Sequence, residues 1–213
     1  QILDKAQVKA ALCDSLLAEE LAHCIDSSHA HFASSLQQTL WFRSSDEEGV
    51  EARMAKHAKE FEACDTSRDD VCLIAFTSGT TGHPKGVQLT NSNYLDLLDQ
   101  AANGGWGDWE SCESTIIAMP IFHVSGANAG VIGLAQGLKN IIIRDVDPVA
   151  ILDALEQYRV RYAFFVPAVI LFLNSTPGVR DRDFSNLETI LYGASPISQD
   201  ILTTAQDIFK CEF

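Results

Sequence analysis

The chain has 213 residues, 46% hydrophobic and 21% charged, enough to bury a substantial core in one or two domains. A formal net charge of −14 and a pI near 4.6 argue against nucleic acid or an anionic membrane surface as partner, since both demand a basic face. An anionic ligand must therefore be met by a local field that opposes the global one.

No apolar run reaches the roughly 20 residues of a spanning helix. The longest, Val124 to Leu138, is glycine-rich, and its Gly126-xxx-Gly130 spacing points to close packing of a buried helix. Six cysteines (Cys13, Cys24, Cys64, Cys72, Cys112, Cys211) lie scattered without a CxxC pair, and no secretory leader is read. Reduced thiols and a cytoplasmic location are expected. Nothing in the sequence sets an oligomeric state.

The opening residues read as the end of a helix followed by a strand over Val8 to Leu12, with Asp14-Ser15 capping a helix near Leu16 to Cys24. His23, Cys24, His29 and His31 cluster next, in a spacing that fits no structural zinc pattern, so the segment reads as a loop. Leu40 to Arg43 looks like a strand, Ser44 to Gly49 a polar connection. Val50 to Ala63 carries Ala52, Ala55, Ala58 and Phe61 at helical spacing, which predicts an exposed amphipathic helix. Asp65 to Asp70 is a solvated turn.

An apolar run, Cys72 to Phe76, enters the loop Thr77-Ser78-Gly79-Thr80-Thr81-Gly82-His83-Pro84-Lys85-Gly86-Val87. Glycines at 79, 82 and 86 allow tight turns and a close approach of backbone N–H groups to a ligand. Hydroxyls add donors, Pro84 stiffens the exit, and Lys85 can reach back with a point charge. The loop is built to hold phosphate. It is not a Walker loop, because position 84 is proline and Lys85 precedes Gly86 rather than Ser or Thr.

Beyond the loop, Val87 to Thr90 continues extended, and Asn91 or Ser92 caps a helix through Ala102 that Asn103 to Gly107 breaks. The run Thr115 to Pro120 reads as a buried strand delivering Ile121-Phe122-His123-Val124-Ser125-Gly126 at its carboxyl end, where ligands bind in open α/β sheets. Helices near Gly126 to Gln136, Pro148 to Tyr158, Pro167 to Leu173 and Ser198 to Phe209 alternate with strands at Asn140 to Ile143, Tyr162 to Val166 and Leu187 to Tyr192. The fold class is α/β, a largely parallel sheet with flanking helices built by βαβ alternation. The terminal Lys-Cys-Glu-Phe reads as the start of another strand, so the chain is expected to be a fragment of a longer protein.

Two sites beyond the loop carry chemistry. His123 follows a Met-Pro turn, where on its own a structural histidine is the more natural reading. Tyr192-Gly193-Ala194-Ser195-Pro196 sits between a strand and a helix and offers half of a G-x-S-x-G elbow. Position 197 is isoleucine, however, and no histidine lies downstream of Ser195, so a Ser-Asp-His order cannot be completed.

TSGTTGHPKGV resembles the phosphate-binding signature of the adenylate-forming (AMP-binding) superfamily, which includes acyl-CoA synthetases, luciferases and amino-acid adenylation domains. MPIFHVSG is similar to that family's second core motif, and YGASP to its turn lining the adenine and acyl pockets. The resemblance covers nearly the whole chain as part of the large N-terminal domain, with residues 1–70 in a first subdomain and 71–213 in a nucleotide-binding one.

It implies an acid-thiol ligase of the acyl-CoA synthetase type, which uses ATP to convert a carboxylic acid to an acyl-adenylate and then a thioester, with CoA as co-substrate and Mg2+ as metal. Thr77, Ser78, Gly79, Thr80, Thr81, Gly82 and Lys85 would hold phosphate, Thr80 would touch magnesium, and Gly193, Ala194 and Ser195 would line the nucleotide site. Lys85 and His123 are the implied catalytic residues. Amino-acid-activating members carry an aspartate in the second motif; Phe122, His123 and Val124 supply none, which points to an acid without an α-amine, aliphatic or aromatic. The family's metal-binding glutamate, ribose-binding aspartate and C-terminal catalytic lysine are expected beyond Phe213, leaving the isolated chain inactive. Two other readings stand beside this one, a non-catalytic nucleotide-binding module and a serine hydrolase using Ser195.

Overall fold

The computed structural model describes residues 1–28, 33–44, 49–79, 82–103 and 114–213. The chain divides into two compact units, Gln1–Asn91 and Ser92–Phe213. The sequence reading divides the chain into two subdomains at residue 70, whereas the boundary between the compact units falls between Asn91 and Ser92.

In the first unit, α1 (Ile2–Lys5) precedes β1 (Ala10–Asp14), which pairs in parallel with β2 (Gln38–Phe42). Asp14 caps the turn after β1, its carboxylate accepting from Leu16 N–H at 3.0 Å, and leads into α2 (Ala18–Ile25). α3 spans Val50–Lys56, half the length its alanine spacing predicts. Only Val50 of α3 is buried, and Phe61 is 90% exposed. Short helices depend on tertiary packing. Without an apolar face to bury, this one stops at His57, whose ψ of 160° is extended.

β3 (Val71–Thr77) and β4 (Lys85–Thr90) form an antiparallel hairpin whose connection is the glycine-rich loop. The turn before it is closed by Asp70, whose carboxylate accepts from Ser67 N–H at 2.7 Å. α4 (Asn91–Asn103) follows directly; the predicted break at 104–107 and Cys112 lie outside the described residues.

The second unit holds a four-stranded parallel sheet in the order β6-β5-β7-β8 among the described residues. β5 (Ser114–Ile117) is buried along its whole length and pairs with β6 (Lys139–Ile142) and β7 (Tyr162–Phe165); β8 (Thr189–Tyr192) pairs with β7. The continuous apolar runs read as parallel strands because both faces are covered. α5 (Val124–Ala135) packs on β5 and β6, whereas α6 (Pro148–Gln157), α7 (Pro167–Asn174) and α8 (Gln199–Phe209) surround the main core. That core is centred on Phe165, Ile170, Leu173, Ile190 and Phe209.

Local chemistry fixes these helix starts. Asp147 caps α6 through Val149 N–H at 2.9 Å with Pro148 at the first turn, and Ser198 caps α8 through Ile201 N–H at 3.4 Å. At the end of the chain, Ile190 N–H donates to Glu212 at 2.9 Å in a parallel bridge beside β8, in line with the strand start read at Lys210 to Phe213. No helix among the described residues is long and apolar enough to cross a membrane.

Candidate functional site

The phosphate-type loop belongs to the first unit. The hairpin register sets Thr77 opposite Lys85 and Phe76 opposite Gly86, so the two ends of the loop are cross-strand neighbours. Gly79 has φ +63°, and a Cβ there would collide with the His83 carbonyl. The loop can close only with glycine at this position. Thr77, Ser78 and Lys85 are exposed, and among the described residues no carboxylate is paired with Lys85. The loop exit is tied down by α1: Lys5 Nζ donates to the Pro84 carbonyl at 2.8 Å. An open cation beside turned backbone amides fits an anionic ligand. Thr80 and Thr81 lie outside the described residues, as do His29 and His31.

The second unit contains a cavity of about 370 Å³ between α4, α5 and the sheet. α5 gives it Val124, Ser125, Asn128, Ala129 and Ile132, which share one helix face at i, i+1, i+4, i+5 and i+8. The adjacent face of the same helix carries Gly126, Gly130 and Gly133. A Cβ at Gly126 would collide with the Met119 and Pro120 carbonyls, and one at Gly133 with the Asn140 side chain. Small residues therefore let α5 lie close on β5 and β6, as the glycine spacing predicts, and hold its other face toward the cavity.

From the sheet come Thr115, Ile116, Tyr162, Ala163 and Phe164, and from the following turn Leu191 and Ala194; Leu97 of α4 completes the wall. None of these side chains is charged. Tyr162 is only 3% exposed and its hydroxyl donates to Glu188 Oε2 at 3.0 Å. Glu188 is in turn held by Arg161 through Nε at 3.0 Å and Nη2 at 2.6 Å. Ala194 sits at φ +72°, a left-handed conformation that costs a non-glycine residue about 1–2 kcal/mol. Such strain concentrates where a turn presents its backbone to a ligand.

His123 is exposed, at the N-cap of α5 with φ −105° and ψ 152°, and its ring tilts against Phe122 at 4.7 Å. It immediately precedes Val124, so the second motif supplies an exposed imidazole and a buried wall from adjacent residues. Val124 and Ser125 of this motif and Ala194 of the Gly193-Ala194-Ser195 turn line the same cavity. The two motifs, about 70 residues apart in sequence, meet in one place.

A family model matches over the whole of residues 1–213, that of the AMP-binding enzyme. The chain belongs to the AMP-binding enzyme family.

Within this AMP-binding family, the chain is 36% identical over 146 residues to a feruloyl-CoA synthase from an Amycolatopsis species, covering 65% of this chain and 28% of that protein. It is 31% identical over 151 residues to the fatty acid–[acyl-carrier-protein] ligase ScoC of Streptomyces coeruleorubidus, covering 70% of this chain and 29% of the relative. Its fold matches the inhibitor-bound N-terminal domain of FACL13 from Mycobacterium tuberculosis with a TM-score of 0.84 at 20% identity, over 97% of this chain and 50% of that one. The match spans under a third of the length of these curated relatives.

Of the AMP-binding site residues read from sequence, Ala194 lines the cavity, and Gly193 stands beside Phe164, where a Cβ would lie 3.8 Å from the ring. Ser195 is exposed and makes no hydrogen bond to a histidine or carboxylate among the described residues. The apolar segment Phe164 to Phe172 divides: Phe165, Val169 and Ile170 are core, Phe164 faces the cavity, and Leu171 and Phe172 are exposed. Sequence reading missed Thr115, Asn128, Ile132 and Tyr162 as wall residues. The stripe at 124, 125, 128, 129 and 132 was the available signal for the helix contribution.

Proposed function

We propose that the chain supplies the phosphate loop and the acid pocket of an ATP-dependent carboxylic acid:thiol ligase. The observation that carries this is the uncharged cavity of about 370 Å³ walled by the histidine motif and the strained Ala194 turn. It suits a carboxylic acid with an apolar tail, and its lack of charge disfavours an amino acid or a dicarboxylate. The relatives named for feruloyl and fatty acyl substrates support an acid-CoA or acid-carrier thiol reaction.

In this reading one carboxylate oxygen of the acid attacks the α-phosphorus of ATP, the bond to the β-phosphate oxygen breaks, and pyrophosphate leaves. No enzyme nucleophile is needed, and positioning and charge stabilisation do the work. The loop amides with Thr77, Ser78 and Lys85 hold the phosphates. His123, at the amino end of α5, lies beside the residues that receive the acid. Transfer to the CoA thiol then expels AMP. Magnesium would be held with Thr80, a residue outside the described set, and no step is assigned to it.

The test is acid-dependent pyrophosphate release by the full-length protein, across a panel of carboxylic acids, with and without CoA. Release that requires both ATP and an acid is the expected result. ATP binding with no acid-dependent release would favour a nucleotide-binding module instead.

A further inference from the structure

The glycine-rich loop has little of its own to hold it in one shape. Gly79 and Gly82 take φ of +63° and +79°, and the bond from Gly82 N–H to the Gly79 carbonyl is long at 3.4 Å. The antiparallel ladder ends at the pair Thr77 and Lys85. Just outside it stands Pro84, which has no N–H to donate, so its carbonyl is the backbone group through which that residue can be fixed. The carbonyl accepts from Lys5 Nζ at 2.8 Å, across 79 positions of sequence.

Lys5 is placed as an anchor. α1 and the loop exit face each other across a recess of about 250 Å³ lined by Gln1, Asp4, Lys5, His83 and Pro84. Among the described residues no carboxylate pairs with the Lys5 ammonium, that of Asp4 included, and the Pro84 carbonyl is its acceptor. The segment behind Lys5 is itself tied down. Val8 N–H donates to the Leu3 carbonyl at 3.0 Å, and the buried Ser35 donates its Oγ–H to the Val8 carbonyl at 2.9 Å. β1 begins two residues later, so Lys5 links the loop exit to the β1–β2 sheet.

We propose that Lys5 is a positioning residue for the phosphate loop, holding its exit in the ATP-binding conformation before the nucleotide arrives. This rests on the reading of the loop as the site of the ATP phosphates. Glycine-rich chain loses more conformational freedom on ordering than any other, and a ligand's apparent Kd rises as the competent fraction falls. The Lys5 bond raises that fraction without touching the phosphates, so its contribution falls on capture of ATP. Once ATP is bound, the ligand orders the loop, and the displacement at the α-phosphorus is left to the loop's own groups.

The experiment measures pyrophosphate release by the full-length protein, with ATP varied at saturating acid and acid varied at saturating ATP, in the unaltered protein, Lys5→Met and Lys5→Arg. Lys5→Met keeps the aliphatic stem and loses the donor. Its KM for ATP should rise about three- to tenfold, the effect of one net hydrogen bond on the competent fraction. Its kcat and its KM for the acid should stay within about twofold of the unaltered values. Lys5→Arg, which can donate to the same carbonyl, should recover most of the KM for ATP. A lysine that only supports folding would instead lower kcat through lost active protein and leave the KM for ATP alone. That pattern, or an arginine variant as impaired as the methionine one, overturns the assignment. Lys5→Ala repeats the test should Lys5→Met not fold. Release that is indifferent to Lys5→Met removes only the positioning role, whereas no release by the unaltered protein with any acid removes the ligase reading as well.

Discussion

The β3–β4 hairpin and the α5 cavity serve neighbouring steps of one proposed reaction, yet they are built in opposite ways. The hairpin is held by its ladder, with Val71, Ile74 and Val87 exposed and its working groups mostly backbone amides, hydroxyls and one lysine. The cavity is walled by side chains that are also core, among them Ile116, Ile132, Tyr162 and Ala163. A loop that works through its backbone concentrates its requirements in a short run of sequence. A pocket that works through side chains draws them from separate strands and helices.

The largest expected effect tests this contrast in stability. Phe165, fully buried, should lose about 3–5 kcal/mol of unfolding free energy in Phe165→Ala. Val87→Ala on the hairpin, where the side chain is 46% exposed, should stay within about 0.5 kcal/mol. Denaturant midpoints of the two variants measure the difference. Comparable losses would mean that the hairpin side chain has a partner in the intact protein.

A smaller effect, of opposite sign, is expected at the cavity turn. Ala194→Gly relieves a left-handed φ of 72° and should stabilise by about 0.5–1 kcal/mol after the extra chain entropy of glycine is counted. Destabilisation by thermal melting would show that the Ala194 methyl packs well enough to outweigh its strain.

The smallest is a pH effect beside β8. Burial pushes the Cys211 thiol up to about 11 from 9.0. Because the folded value is the higher one, its stabilising contribution is complete below pH 9 and is lost as pH rises toward 11. The fall in denaturation midpoint between pH 8 and 11 should be shallower in Cys211→Ala than in the unaltered protein. Identical slopes would place the thiol in water.

Much of the second unit was legible in advance. Asp147-Pro148, Val166-Pro167 and Ser198 mark helix starts by local chemistry, and the apolar runs Ile116 to Met119 and Tyr162 to Phe165 mark parallel strands. α3 was overextended because alanine spacing satisfies a helical pattern without giving the helix anything to bury. At the site, the loop and the turn were legible as motifs. Asn128 and Tyr162 were not, since an asparagine in a glycine-rich helix and a tyrosine opening a strand have no local signature. Only the stacking of α5 on β5 brings them to one wall.

The central claim is that the hairpin loop holds the phosphates of ATP while the cavity holds the acid. Acid-dependent pyrophosphate release by the full-length protein, compared with its Lys85→Ala variant, tests it most directly. Charge-assisted hydrogen bonds to phosphate predict a loss of about 10- to 100-fold in the variant, with the ranking of acids unchanged. Undiminished release in Lys85→Ala would contradict the account.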